Sequence, residues 1–116
     1  MVTFERDRYI VFRILPKSVK IELKDLRSFV WSMYQKLFGL YGTTDSGLFF
    51  EEYDEETNIG LIRCNSKSIG PLMTSLALIT SIDTSTILFL PLYITGLINK
   101  AKKYISSLRS SNHNVD

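Results

Sequence analysis

Between residues 22 and 40 the apolar side chains Leu23, Leu26, Val30, Met33, Leu37 and Leu40 recur in steps of three and four, the spacing that lines them up on one stripe of an α-helix. Such a helix is stable only against a second apolar surface, so the flanking segments have to supply one. Those segments carry strand patterns. Residues 8–15, Arg-Tyr-Ile-Val-Phe-Arg-Ile-Leu, are rich in β-branched and aromatic side chains and stop at Pro16. Beyond the stripe, Gly39 and Gly42 supply a helix stop and residues 43–46 a loop. Two short apolar runs, 48–53 and 59–65, are separated by the polar residues 54–58 and predict an antiparallel hairpin.

Helical spacing returns at Ile69, Leu72, Met73, Leu76 and Ile79, which predicts a helix over 66–83 with Pro71 near its start. Residues 86–95 predict a strand that Pro91 confines to a sheet edge, because proline has no N–H to donate. Leu97, Ala101, Tyr104, Ile105 and Leu108 form a last helical stripe. Strand, helix, strand, strand, helix, strand is the split βαβ order of ferredoxin-like and RRM-like folds, so the expected class is an α+β sandwich, βαββαβ, with an additional C-terminal helix. The length of 116 residues fits one core. We expect one domain over residues 1–108 and a flexible polar tail over 109–116.

Lys and Arg exceed Asp and Glu by only two, too few to coat a nucleic acid by bulk charge, so any RNA site must come from local clustering. No apolar run approaches the roughly 20 residues that cross a bilayer, and Met1–Arg6 lacks a signal-peptide core, so no membrane association and a cytoplasmic location are expected. The lone cysteine, Cys64, lies in a strand pattern and reads as a buried, inert thiol. The lone histidine, His113, falls in the tail, which leaves no catalytic triad or zinc set. Glu51, Glu52, Asp54, Glu55 and Glu56 lack the spacing of a calcium loop and read as a solvated hairpin tip. No catalytic residue, no metal site and no protein-bound cofactor is expected.

Strand alternation points Ile10, Phe12 and Ile14 at the two covering helices, with Tyr9, Val11 and Arg13 on the opposite, open face. Likewise Ile59, Leu61 and Arg63 lie on the open face, and Gly60, Ile62 and Cys64 beneath the helices. That open face lacks the central-strand aromatics on which an RRM stacks bases. It offers Val11, Ile59 and Leu61 instead, with Phe49 and Tyr53, ringed by Arg13, Arg63 and Glu51. Such a patch either docks a partner protein or is covered by the final helix folding back. Lys100, Lys102 and Lys103 lie off the apolar stripe of that helix, as a solvated face or a phosphate contact.

Four segments occur in a recognisable order: Arg6-Asp7-Arg8-Tyr9-Ile10-Val11-Phe12-Arg13-Ile14, Gly39-Leu40-Tyr41-Gly42, Thr57-Asn58-Ile59-Gly60-Leu61-Ile62-Arg63-Cys64-Asn65, and Thr95-Gly96-Leu97-Ile98-Asn99-Lys100-Ala101-Lys102-Lys103. In this order the chain resembles the ribonuclease P component 2 family, archaeal relatives of the eukaryotic subunit Pop-five. The resemblance implies a non-catalytic subunit of a ribonucleoprotein that removes the 5′ leader from precursor tRNA. It implies as partners the ribonuclease P RNA, which carries Mg2+, the TIM-barrel component 3, other ribonuclease P proteins and a possible second copy. RNA contact is then expected at Arg8, Arg13, Arg63, Lys67, Lys100, Lys102 and Lys103, and a protein interface at Tyr9, Val11, Phe49, Ile59 and Leu61. The rival reading is a ferredoxin-like regulatory module that binds a small metabolite and no RNA; its melting temperature would rise with that metabolite.

Overall fold

The computed structural model describes residues 6–114, with side chains placed through residue 110; Met1–Glu5 and the last two residues of the expected tail lie outside it. Strand β1 (Asp7–Leu15) leads into helix α1 (Leu23–Thr44), then β2 (Phe49–Asp54) and β3 (Ile59–Asn65). A single 3-10 turn, Ser66–Ser68, opens α2 (Ile69–Leu78). Two short strands, β4 (Ser81–Ile82) and β5 (Ser85–Thr86), pair with each other before β6 (Leu88–Thr95) and α3 (Ile98–Asn114). The main sheet runs β2-β3-β1-β6, with every neighbouring pair antiparallel. This is the expected ferredoxin-like α+β order, with Pro91 on the edge strand β6 as its missing N–H requires.

One core lies between the sheet and α1 with α2. Ile10, Phe12, Ile14, Ile62 and Cys64 from the strands meet Leu26, Val30 and Tyr34 of α1 and Leu72 and Leu76 of α2. The predicted stripe of α1 is therefore used only in its first half. Leu37 is 40% and Leu40 64% exposed, because the helix outruns the sheet. Gly39 interrupts α1 where a stop was expected, without ending it. It takes φ +78° and ψ 169°, a kink that glycine adopts without a Cβ clash, and helical structure resumes to Thr44.

The second predicted helix is shorter than 66–83. After Leu78 the chain turns extended at Ile79 and forms the β4–β5 hairpin, with Asp83 at φ 55°. Ile79 and Ile82 still reach the core, now from extended backbone, so the apolar spacing was correct and the conformation was not. In β2 the ladder slips between Phe50 and Glu52. That bulge shifts the alternation by one and sends Tyr53, expected on the open face, to the core side, where it stacks on Phe12 at 6.2 Å.

Asn58 closes the β2–β3 turn from inside. At φ 58° and fully buried, it donates from Nδ2 to the Val19 carbonyl (2.7 Å), while its Oδ1 accepts from the Tyr53 hydroxyl (3.2 Å). Glu55 of the same turn accepts the Leu23 N–H at 3.1 Å and so caps the first turn of α1.

On the sheet's other face a second core joins Val11, Ile59 and Leu61 to Ala101 and Ile105 of α3. The final helix thus folds back over the face that strand alternation left open. It also continues to Asn114, past the boundary expected at residue 108: the apolar stripe ends there and the helix does not.

Candidate nucleic-acid interface

The covered sheet face decides the expected protein interface first. Val11 and Leu61 are 0% and Ile59 1% exposed, and Tyr9 packs partly against the same cluster. As a docking surface these residues are a correction. α3 carries an apolar stripe, and the nearest apolar surface that can bury it is the chain's own sheet. Of the expected interface only Phe49 is well exposed, and the Arg63 guanidinium lies over its ring, 5.0 Å from the centroid.

The seven expected RNA contacts separate into groups. Arg63 pairs with Glu51 at 3.4 Å, and Lys67 with Asp45 at 2.5 Å. Such surface pairs add about 0–1 kcal/mol to stability, but each neutralises a cation that a phosphate would otherwise use. Arg13 is half-buried, and its Nε and Nη2 are shielded from solvent without a hydrogen-bond partner among the described residues. The same end of the sheet is acidic. Burial alone would raise the Asp54 carboxyl, yet the N–H of Glu56 at 3.0 Å, Thr57 and the Arg109 guanidinium at 3.8 Å together outweigh it and hold the group below the ordinary carboxylate range.

The opposite side, where β6 turns into α3, is built differently. A cleft of about 660 Å³ is lined by Arg6, Asp7, Arg8 and the turn at Thr95, Gly96 and Leu97. The Arg8 Nη1 donates to the Asp7 carbonyl at 3.0 Å, and Gly96 leaves room for it: a Cβ at that position would stand 3.1 Å from Nη1. One helical turn further along α3, Lys100 and Lys103 flank a hollow of about 240 Å³ walled by Tyr93 and Tyr104. Those two rings stack at 4.7 Å with 10° between their planes. Among the described residues, Arg6, Arg8, Lys100 and Lys103 have no ion-pair partner. Lys102 is exposed on α3 but does not line this hollow.

The structure thus gathers Arg8, Lys100 and Lys103 at one junction, whereas Arg63 and Lys67 are each engaged by an acid and Arg13 is half-buried. Sequence reasoning missed Arg6, Tyr93 and Tyr104. The signal for Arg6 was its spacing of two from Arg8, which places both on one side of an extended segment.

Cys64 is fully buried, and that burial, reinforced by the nearby Asp7 carboxylate, pushes its thiol up to about 11. It stays protonated at neutral pH, as expected of a packing thiol. Among the described residues no group of three or more His, Cys, Asp or Glu side chains could hold a metal ion, and no helix is long and apolar enough to cross a membrane.

Fold and surface together define a small ferredoxin-like α+β domain, its sheet covered on both faces, with a basic, aromatic-walled junction on its rim. The model of the Rpp14/Pop5 family matches residues 8–106, from β1 into α3, and the chain belongs to that family. It is 33% identical over 100 residues to ribonuclease P protein component 2 of Archaeoglobus fulgidus, which covers 84% of this chain and 86% of that protein. Against the protein of the same name from Pyrococcus abyssi it is 26% identical over 99 residues, 85% of this chain and 83% of that one. Among solved structures, a chain of yeast ribonuclease MRP shares the fold with a TM-score of 0.62 at 13% identity, over 99% of this chain and 100% of that one. Both archaeal relatives are named as protein components of ribonuclease P.

Proposed function

We propose that the chain is a non-catalytic subunit of ribonuclease P that binds and stabilises the catalytic RNA during removal of the 5′ leader from precursor tRNA. The observation that carries this reading is the family match, which spans the whole folded unit from Arg8 to Ser106 rather than a single motif. Arg6, Arg8, Lys100 and Lys103 at the β6–α3 junction support RNA contact, since they line two adjoining hollows and none of them is ion-paired among the described residues. Component 3, the TIM-barrel subunit, is the proposed protein partner. With the sheet face occupied by α3, it docks elsewhere on the surface of this chain. The magnesium ions of the reaction sit on the RNA, and the assembly works in the cytoplasm.

Reconstitution tests the reading. Cleavage of precursor tRNA by the RNA with its full protein set is compared with cleavage when this chain is left out. Loss of rate, or a higher magnesium requirement, is expected on omission. Unchanged cleavage without the chain would overturn the assignment.

A further inference from the structure

We propose that a single-stranded RNA segment crosses the β6–α3 junction, its phosphates neutralised by Arg6 and Arg8 on one side and by Lys100 and Lys103 on the other. The choice of RNA as the polyanion rests on the subunit reading above; the location rests on the surface itself. The two hollows are joined through α3, because Leu97 lines the first and Lys100, one turn on, lines the second. From Leu97 to Ser107 the helix advances about 15 Å at 1.5 Å per residue, so the path is as long as a short run of nucleotides.

Strand geometry selects a single strand over a duplex. Arg8 stands opposite Cys64 in the ladder and alternates with Ile10, which puts it on the α1 and α2 side of the sheet. Lys100 and Lys103 belong to α3, on the other side. A backbone that touches both arginines and both lysines has to turn around the end of the edge strand β6. A flexible single strand makes that turn within a few nucleotides, whereas a duplex is stiff over a far greater length. The Tyr93–Tyr104 stack supplies the apolar wall on which sugars and bases of a single strand can lie between the two lysines. Three other cations are matched by acids, Arg63 by Glu51, Lys67 by Asp45 and Arg109 by Asp54, while Lys24 and Arg27 line a separate hollow on α1 with Trp31. Near the start of α1, Lys20 donates to the Glu56 carbonyl, in a hollow that Glu22 and Glu55 also line.

The test uses the intact chain and an RNA single strand of about 12 nucleotides, within the roughly 4–16 that one small domain engages. Affinity is measured from about 50 to about 200 mM salt, with the matching duplex run in parallel. Replacing Arg6 and Arg8 by Ala should reduce the slope of log affinity against log salt by about 1.4, and replacing Lys100 and Lys103 by Gln by about 1.4 again, at roughly 0.7 per single-strand contact. The glutamines keep the helix and its packing, so that second pair reads out even if the arginine variant is less stable. Arg63→Ala with Lys67→Ala should leave the slope as it is in the natural chain. Unchanged slopes in both junction variants, an equal loss in the Arg63 and Lys67 variant, or duplex binding as tight as single-strand binding would each overturn the proposal. In reconstitution the two readings separate: a chain that is required for cleavage but whose slopes do not move keeps the subunit reading and loses this path. A chain that is dispensable for cleavage but whose slopes fall as stated does the reverse.

Discussion

Gly60 lies across the sheet from Phe12 and Tyr53, and a Cβ there would stand 2.7 Å from the Phe12 Cε1 and 2.9 Å from the Tyr53 Cδ1. Both rings are held by the core around them, so neither can yield cheaply. Gly60→Ala should therefore destabilise by about 1–3 kcal/mol, read as a lower urea midpoint at constant m. Gly70, early in α2, has nothing within 4 Å of a built Cβ, and Gly70→Ala should stabilise by about 0.4–1 kcal/mol. The same pair of rings predicts a pH effect. Burial, helped by the carboxylates of Glu55 and Asp54, raises the Tyr53 phenol from 10.0 to about 12. Above pH 10 the unfolded chain loses this proton while the folded one keeps it, so the Tyr53 contribution is whole below pH 10 and drains away as pH rises through about 12. The loss should approach roughly 2 kcal/mol, and Tyr53→Phe should remove it, leaving the separate decline from the equally shifted Cys64 thiol that starts near pH 9.

Helix α3 is the element on which the molecule's surface depends. Ala101 and Ile105 bury Val11, Ile59 and Leu61, so Leu61→Glu places a carboxylate in a closed core instead of on a docking face. The variant should lose several kcal/mol, a large share of the 5–15 kcal/mol of an ordinary domain, and bind a hydrophobic dye as α3 lifts. Unchanged stability with altered sedimentation would show the face open in solution. The order of elements and the inward residues of β1 and β3 were legible in the sequence, because period-two and helical spacings are local properties. Three features were not. The stripe of α3 states that it needs an apolar partner, but not whose. Gly39 reads as a stop, and whether the chain stops or kinks there depends on how residues 40–44 pack in space. The bulge at Glu51 moves Tyr53 by one place, and period-two reasoning carries no warning of such an insertion. The candidate RNA contacts were legible only as charges: which of them acids would neutralise is a property of the tertiary structure.

At the scale of the whole molecule, a run of acids occupies β2 and its hairpin and a group of cations without ion pairs lines the β6–α3 junction, so a net charge of only +2 conceals a local basic pole. RNA bound at the basic pole should stabilise the entire fold by mass action and in a salt-dependent way. With free single-stranded RNA at about 100 times its Kd, binding to the folded state adds roughly 2.7 kcal/mol. For 116 residues, at about 2.1 cal/mol/K of unfolding entropy each, the expected rise in melting temperature is roughly 11 °C. Four phosphate contacts give a log–log salt slope near −2.8, so moving from about 50 to about 200 mM salt weakens binding roughly 50-fold. The same RNA then stands at only about twice its Kd, the stabilisation falls to ~0.65 kcal/mol, and the shift shrinks to roughly 3 °C. A thermal shift measured at the two salt concentrations checks this directly, with the protein alone at each as reference. A shift that survives the added salt would mean that the RNA is held by shape or apolar contact, and would remove phosphate neutralisation at the junction as the source of affinity.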